Sequence, residues 1–243
     1  MKPAAAAGRA GRALLAGVTL LIALGAAGCV EELDPPWQLD HDRIVAVRAT
    51  PPAIEAGGRA ELDALIALEG GATSERSPEI AAVVSPMSLA GAVAPEGGKW
   101  IVTAPDAAKL EQVRAELGLT PGAPVPLIVG VAYGGTALKA TKTILLGVAG
   151  QNPSLDAMMI DGAPADTKTE IVVGKLVDVP LSVAAEQDDD VNWLTSCGTM
   201  HDFDLPQAYL RVELEDPTAG ELAVIRRDPR GGVAWRVWQI RAE

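Results

Sequence analysis

The chain has 243 residues, with 32 Asp and Glu against 20 Lys and Arg, a net charge of −12, 49% hydrophobic residues and few aromatics. Such an excess of carboxylate repels phosphate, so nucleic acid is not expected as a partner. The length allows one large or two small domains, each able to bury a core, and two are expected.

The amino terminus sets itself apart. MKPAAAAGRAGR is basic, and Ala13 to Ala27 (ALLAGVTLLIALGAA) carry no charge. The apolar run is short of the ~20 residues that span a bilayer, and small residues close it, which is the layout of a secretory signal. Residues 1–28 are therefore assigned to a signal peptide. Its removal takes away Lys2, Arg9 and Arg12 and no acid, leaving the mature chain near −15 with no expected transmembrane span.

The cleavage region LGAAGC, Leu24 to Cys29, resembles a bacterial lipobox. The resemblance implies that Cys29 receives a diacylglyceryl thioether and becomes the mature amino terminus, anchoring the protein to its membrane through lipid. Ala26 stands where lipoboxes usually carry leucine, and Ala26 with Gly28 would also suit an ordinary signal peptidase. Multiple acyl chains hold firmly where one does not. Val30, rather than aspartate after the cysteine, implies the outer membrane. With Cys29 lipidated, Cys197 is left alone and no internal disulfide forms; with Cys29 free, the two could pair.

Residues 29–42 are acidic, contain Pro35-Pro36 and are expected to be a short extended tether, with Trp37 plugging the lower edge of the first domain. RIVAVRA, 43–49, reads as a strand. From Ala60, the apolar residues Leu62, Ala64, Ile66 and Leu68 alternate with Glu61 and Asp63 in the period of a half-buried strand. Short strands are expected near Ile80 to Val84 and Leu89 to Val93, and a better one at Lys99 to Thr103. TAPDAAKLEQVRAELG then reads as a helix: Thr103 and Asp106 have capping-box spacing, Pro105 sits in the first turn, and Gly118 ends it. Leu110, Val113 and Leu117 would form its buried stripe. Strands at 125–133 and 136–147 flank Gly134-Gly135, a dipeptide suited to a tight hairpin turn.

A linker composition at 147–154 separates the halves, giving domains at 43–149 and 150–243. In the second half, Val177, Val179, Leu181, Val183 and Ala185 alternate, as do Leu210, Val212 and Leu214, and a hairpin turns at RDPRGG, 227–232. Each half starts with a short strand and ends in a hairpin, which suggests two copies of one architecture. Many short strands with one helix point to an all-β protein of two tandem antiparallel sandwiches, because the crossover helices of a parallel sheet are missing. The second half, with VNWLTSCGT and GELAVIRRDPRGGVAWRVW, resembles the immunoglobulin-like and PKD-like domains of bacterial envelope proteins. The resemblance implies that Trp193 packs in the core and that Asp228, Gly231 and Gly232 shape the closing hairpin. Trp235 and Trp238, three apart on a strand, must point to opposite faces; one is expected in the core and the other either exposed beside Arg236 for a protein or glycan contact or, as the favoured reading, covered by the neighbouring domain.

Two clusters hold the candidate chemistry. SCGTMHDFD brings together Cys197, His201, Asp202 and Asp204, the raw material of a thiol nucleophile or a metal site. A zinc site needs three or four ligands, and the only other histidine, His41, lies in the tether. The favoured expectation is a loop after the Trp193 strand. EQDDD, 186–190, bunches acids at a strand end, so Asp188 and Asp190, joined by Asp202 and Asp204 if the loops met, could attract calcium. It lacks the alternating grammar of a calcium loop, and a solvated turn is the simpler reading. No phosphate loop, G-x-S-x-G or H-E-x-x-H occurs. The sequence thus points to a non-catalytic, lipid-anchored envelope protein that needs no cofactor and meets another envelope protein or a surface polymer. A thiol or metal enzyme at Cys197, His201 and Asp202, or a calcium-binding sandwich, is the alternative.

Overall fold

Alternation builds the first sandwich. In the computed structural model, which describes residues 35–70 and 72–243, strand β3 (Arg59–Ala67) turns Ala60, Leu62, Ala64 and Ile66 into a core. It pairs with β1 (Arg43–Thr50) on one side and β7 (Lys99–Thr103) on the other, and β6 (Val93–Glu96) completes the order β1-β3-β7-β6. A short β4 (Ser74–Arg76) pairs antiparallel with the C-terminal part of β3. The facing sheet runs β2-β9-β8-β5, from β2 (Ala53–Ile54), β9 (Leu138–Leu146), β8 (Val125–Tyr133) and β5 (Ile80–Ser85). All pairings are antiparallel except β2 with β9. Gly134 and Gly135 turn the β8–β9 hairpin at φ +57° and +60°, backbone that residues with a Cβ resist.

Three local expectations change. Leu89 lies in a 3-10 turn (Met87–Ala92) and the strand begins only at Val93. Helix α1 (Ala107–Glu116) is capped by Asp106, whose Oδ1 accepts the Lys109 N–H at 2.8 Å, so Thr103 stays in β7 and Pro105 lies outside the first turn. Leu110 and Val113 are buried, but Leu117, at the C-cap, is exposed.

The second sandwich repeats the plan. One sheet runs β11-β10-β13-β16-β15, from β10 (Met159–Ile160), β11 (Ala163–Pro164), β13 (Asp178–Ser182), β15 (Thr199–His201) and β16 (Gln207–Arg211). The other runs β12-β18-β17-β14, from β12 (Glu170–Val173), β14 (Asp190–Thr195), β17 (Ala219–Arg227) and β18 (Val233–Ala242), again with one parallel pair, β12 with β18. Trp193 and Trp238 stack in its core with centroids 6.5 Å apart. The alternation overshoots at its ends: Val177 and Leu214 are exposed.

Strand for strand, the orders match: β1-β3-β7-β6 corresponds to β10-β13-β16-β15, and β2-β9-β8-β5 to β12-β18-β17-β14. Four strands facing a three-strand sheet, with a short first-strand segment added parallel to the last, is the immunoglobulin arrangement in both halves. Neither half has a disulfide across its sheets; Cys197 is a free, buried thiol. No helix among the described residues is long and apolar enough to cross a membrane.

Residues Pro36–Glu243 form one compact unit. Asn152, in the connection between the sandwiches, donates to the Ala49 carbonyl at 3.0 Å and accepts the Val233 N–H at 2.9 Å, so one amide ties both halves. The segment before β1 also docks: Gln38 bridges to Thr195, extending the open edge of β14. Trp37 packs against the second core and not the lower edge of the first sandwich, because its neighbours bond to the β14 backbone.

Candidate functional site

The SCGTMHDFD segment is a crossing between sheets and includes a strand, β15, where a loop was expected. Cys197 points inward: its thiol donates to the Pro217 carbonyl at 2.9 Å, and its N–H donates to the Thr195 hydroxyl at 3.0 Å. Burial, and secondarily Asp216, pushes the thiol pKa up, the opposite of what activates a nucleophile. Gly198 makes the crossing possible. At φ +91°, a Cβ there would sit 2.4 Å from the Arg211 carbonyl oxygen. His201 pairs across the ladder with Tyr209 on the outer face, whereas Asp202 and Asp204 lie exposed in the following turn. Thus Cys197 and His201 face different environments.

In EQDDD the decisive residue is Asp189, which the sequence did not single out. Its side chain is 2% exposed and ion-paired with Arg226, at 2.6 Å to Nε. Arg226 also donates to the carbonyls of Ser154 (2.9 Å) and Ala184 (3.2 Å), and Asp189 accepts the Glu186 N–H. The loop is clamped by its own arginine, and Asp188 and Asp190 remain exposed at its rim. Among the described residues, no three His, Cys, Asp or Glu side chains converge as a metal site would require. Cys29 lies outside the described residues.

The groups that do converge sit between the sandwiches. The outer face of β14, β17 and β18 presents Leu194, Ala223, Ile225, Val233 and Trp235, and these bury against Val45, Ala46, Leu65 and Ala67 of β1 and β3. A register shift in β1 between Ile44 and Ala46 lets Val45 turn into this seam while Val47 stays in the first core. Trp238 is in the second core and Trp235 is under the first sandwich, as the spacing required.

Polar groups frame the seam. Arg48 lies over the Trp235 ring, 3.8 Å from its centroid, and grips Asp63 through two hydrogen bonds of 3.1 and 2.5 Å. The indole N–H donates to Glu75 at 2.7 Å. Burial outweighs the Arg48 partner and raises the Asp63 pKa. Glu221 accepts from the Thr73 N–H at 2.7 Å and from Gln239 at 3.0 Å, bordering a cleft of about 490 Å³ that also meets Glu75 and Arg236. On the other side, Lys142 of β9, 6% exposed, donates to the Gly231 carbonyl in the β17–β18 turn. Burial depresses its pKa to about 8, partly opposed by Asp228. Asp228 itself is held in the turn, accepting the N–H groups of Arg230 and Gly232, each at 2.8 Å. The RDPRGG turn is thus the contact that reaches β9 of the first sandwich.

The seam's sequence signal was present but unread. Ala64-Leu65-Ile66-Ala67 and Leu222-Ala223-Val224-Ile225 are continuous apolar runs, the mark of strands covered on both faces.

No family model and no curated protein matches the chain. Among solved structures, the N-terminal Ig1-2 module of the Drosophila receptor protein tyrosine phosphatase DLAR aligns with 84% of this chain and 99% of its own, at 11% identity and a TM-score of 0.29. Murine CEACAM1b aligns with 82% of this chain and all of its own, at 11% identity and 0.27. The Clostridium thermocellum CbhA fibronectin(III)-like modules align with 82% and 94%, at 11% identity and 0.27. The fold assignment rests on the strand orders, not on these scores.

Proposed function

We propose that the protein is a lipid-anchored, non-catalytic module of the bacterial envelope, held at the outer membrane through Cys29, whose paired sandwiches bind or brace another envelope component. The carrying observation is that the candidate groups do not converge: Cys197 is taken up by the second core, while His201, Asp202 and Asp204 lie outside it. Cys197 plugs the second core with a raised thiol pKa, and Asp189 neutralises Arg226. The seam supports the same reading, because it holds the two sandwiches in one orientation, as a bracing or presenting element requires. The lipobox-like LGAAGC supplies the anchor.

Metabolic labelling with a fatty-acid analogue in a bacterial host tests the anchor. The wild-type chain is expected to take up label and to fractionate with outer membranes, and Cys29→Ser to lose both. An unlabelled wild type would remove the lipid reading. For the non-catalytic reading, turnover of any substrate that disappears in Cys197→Ala or His201→Ala would be fatal. Crosslinking in the intact envelope then identifies the partner.

A further inference from the structure

Glu221 is buried at the border of the seam without a counter-charge. Only 6% exposed, it lies two residues before Ala223 on the same face of β17, opposite Gln239 of β18. Both carboxylate oxygens accept hydrogen bonds, Oε2 from the Thr73 N–H at 2.7 Å and Oε1 from the Gln239 amide at 3.0 Å. Both donors are neutral. Buried Arg114 and Arg226 have Glu111 and Asp189 beside them, whereas Glu221 takes part in no ion pair among the described residues. A carboxylate taken out of water against neutral donors alone is costly, and an arriving cation offsets that cost.

This carboxylate also borders open space. The cleft of about 490 Å³ is bounded by β4 of the first sandwich and by β17 and β18 of the second, a size that admits a long side chain or small ligand. Glu75 of β4 brings a second carboxylate to it: Oε1 accepts the Trp235 indole N–H at 2.7 Å, Oε2 lies 3.6 Å from Arg48, and the side chain is 59% exposed. Leu65, Trp235 and Val237 supply apolar wall. Arg236 lines the cleft too, but it donates to the Lys168 carbonyl at 2.9 Å and pairs with neither carboxylate.

We infer that this cleft receives a lysine or arginine side chain of a partner protein, its stem against the apolar wall and its cationic head at Glu221 and Glu75. Charge and shape select the occupant together. A lysine or arginine carries an apolar stem ending in a cation, the complement of an apolar wall that meets two carboxylates. An anion would face both carboxylates, and a neutral side chain would leave Glu221 buried without a counter-charge. The chain's net charge of −12 draws a basic partner toward it and sets its approach. The inference rests on the binding reading above and adds the kind of partner, one that presents a basic segment to the seam.

Heteronuclear NMR of the full chain carrying Cys29→Ser, titrated with end-blocked Gly-Gly-Lys-Gly-Gly and its arginine and norleucine counterparts, tests the cleft. The lysine and arginine peptides should shift the Trp235 indole N–H, whose acceptor is Glu75, and the Gln239 side-chain amide, saturating with a Kd of about 1–10 mM. The norleucine peptide should move neither. Glu221→Gln and Glu75→Gln should each raise the Kd by at least about threefold. Glu75 is exposed, so its variant decides the matter even if Glu221→Gln does not fold. Arg236→Gln should not weaken binding, and Asp188→Asn, in the separate acidic loop, should leave the Kd unchanged. Silence of both reporters up to about 20 mM peptide, an equal response to norleucine, or a Kd indifferent to both glutamate substitutions would each overturn the inference. None of these outcomes bears on lipid attachment or turnover, so the proposed function stands or falls by its own tests.

Discussion

Arg48 of the first sandwich lies flat on Trp235 of the second, its guanidinium carbon 3.8 Å from the ring centroid, while its other donors hold Asp63. A cation placed this way, shielded from water and already paired, couples the two halves by about 1–2 kcal/mol. Chemical denaturation of Arg48→Ala, Trp235→Ala and the double variant should return that coupling as non-additivity. Trp235→Ala alone should cost about 3–5 kcal/mol, since the large indole leaves a void in the seam. Arg48→Lys should recover only part of the coupling, because an ammonium cannot grip Asp63 and stack at once.

Lys142 makes stability depend on pH in an unusual direction. Its pKa is about 8 in the folded protein against 10.5 ordinarily, so between these values the unfolded chain binds more protons. Stability from this group therefore rises with pH across that window, and at pH 7 the buried charge costs about 3 kcal/mol. Urea unfolding of the wild type and Lys142→Met at pH 7 and pH 10.5 is the check. The wild type should gain on the variant by about that amount at the higher pH, and a constant difference would contradict the burial account.

The acidic loop should ignore calcium. Asp189→Asn leaves Arg226 buried without its counter-charge and should cost about 3–5 kcal/mol, whereas Asp188→Asn and Asp190→Asn should each stay within about 0.5 kcal/mol. Melting with chelator should match melting with millimolar calcium. A chelator-dependent drop would show that the exposed carboxylates hold an ion despite the Arg226 clamp.

Cys197 should resist thiol reagents until the protein unfolds, because its sulfur is buried and bonded to the Pro217 carbonyl. Labelling followed through a denaturant titration should therefore track global unfolding, and fast labelling of native protein would contradict the geometry. Gly198→Ala should be among the most damaging small substitutions, above about 3 kcal/mol, since both its φ of +91° and the close Arg211 carbonyl reject a Cβ.

Much of the architecture is legible in the residues. Ala60, Leu62, Ala64 and Ile66 declare one face of β3, Gly134-Gly135 declares a hairpin, and the odd spacing of Trp235 and Trp238 sends them to two different cores. These are local facts: a strand has a period of two, a left-handed turn wants glycine, and both are visible within a few neighbours.

What only the tertiary structure decided is which of several equivalent groups is used. Asp188, Asp189 and Asp190 look alike in sequence, and Asp189 matters because Arg226, 37 residues away, arrives beside it. Cys197 and His201 look like partners until the ladder turns one inward and the other out. Leu65 and Val84 both sit in unbroken apolar runs, yet one is buried under the other sandwich and the other faces water. Alternation records that a strand has two faces to satisfy; what stands opposite each face is set by pairings between distant segments, and those exist only once the chain has folded.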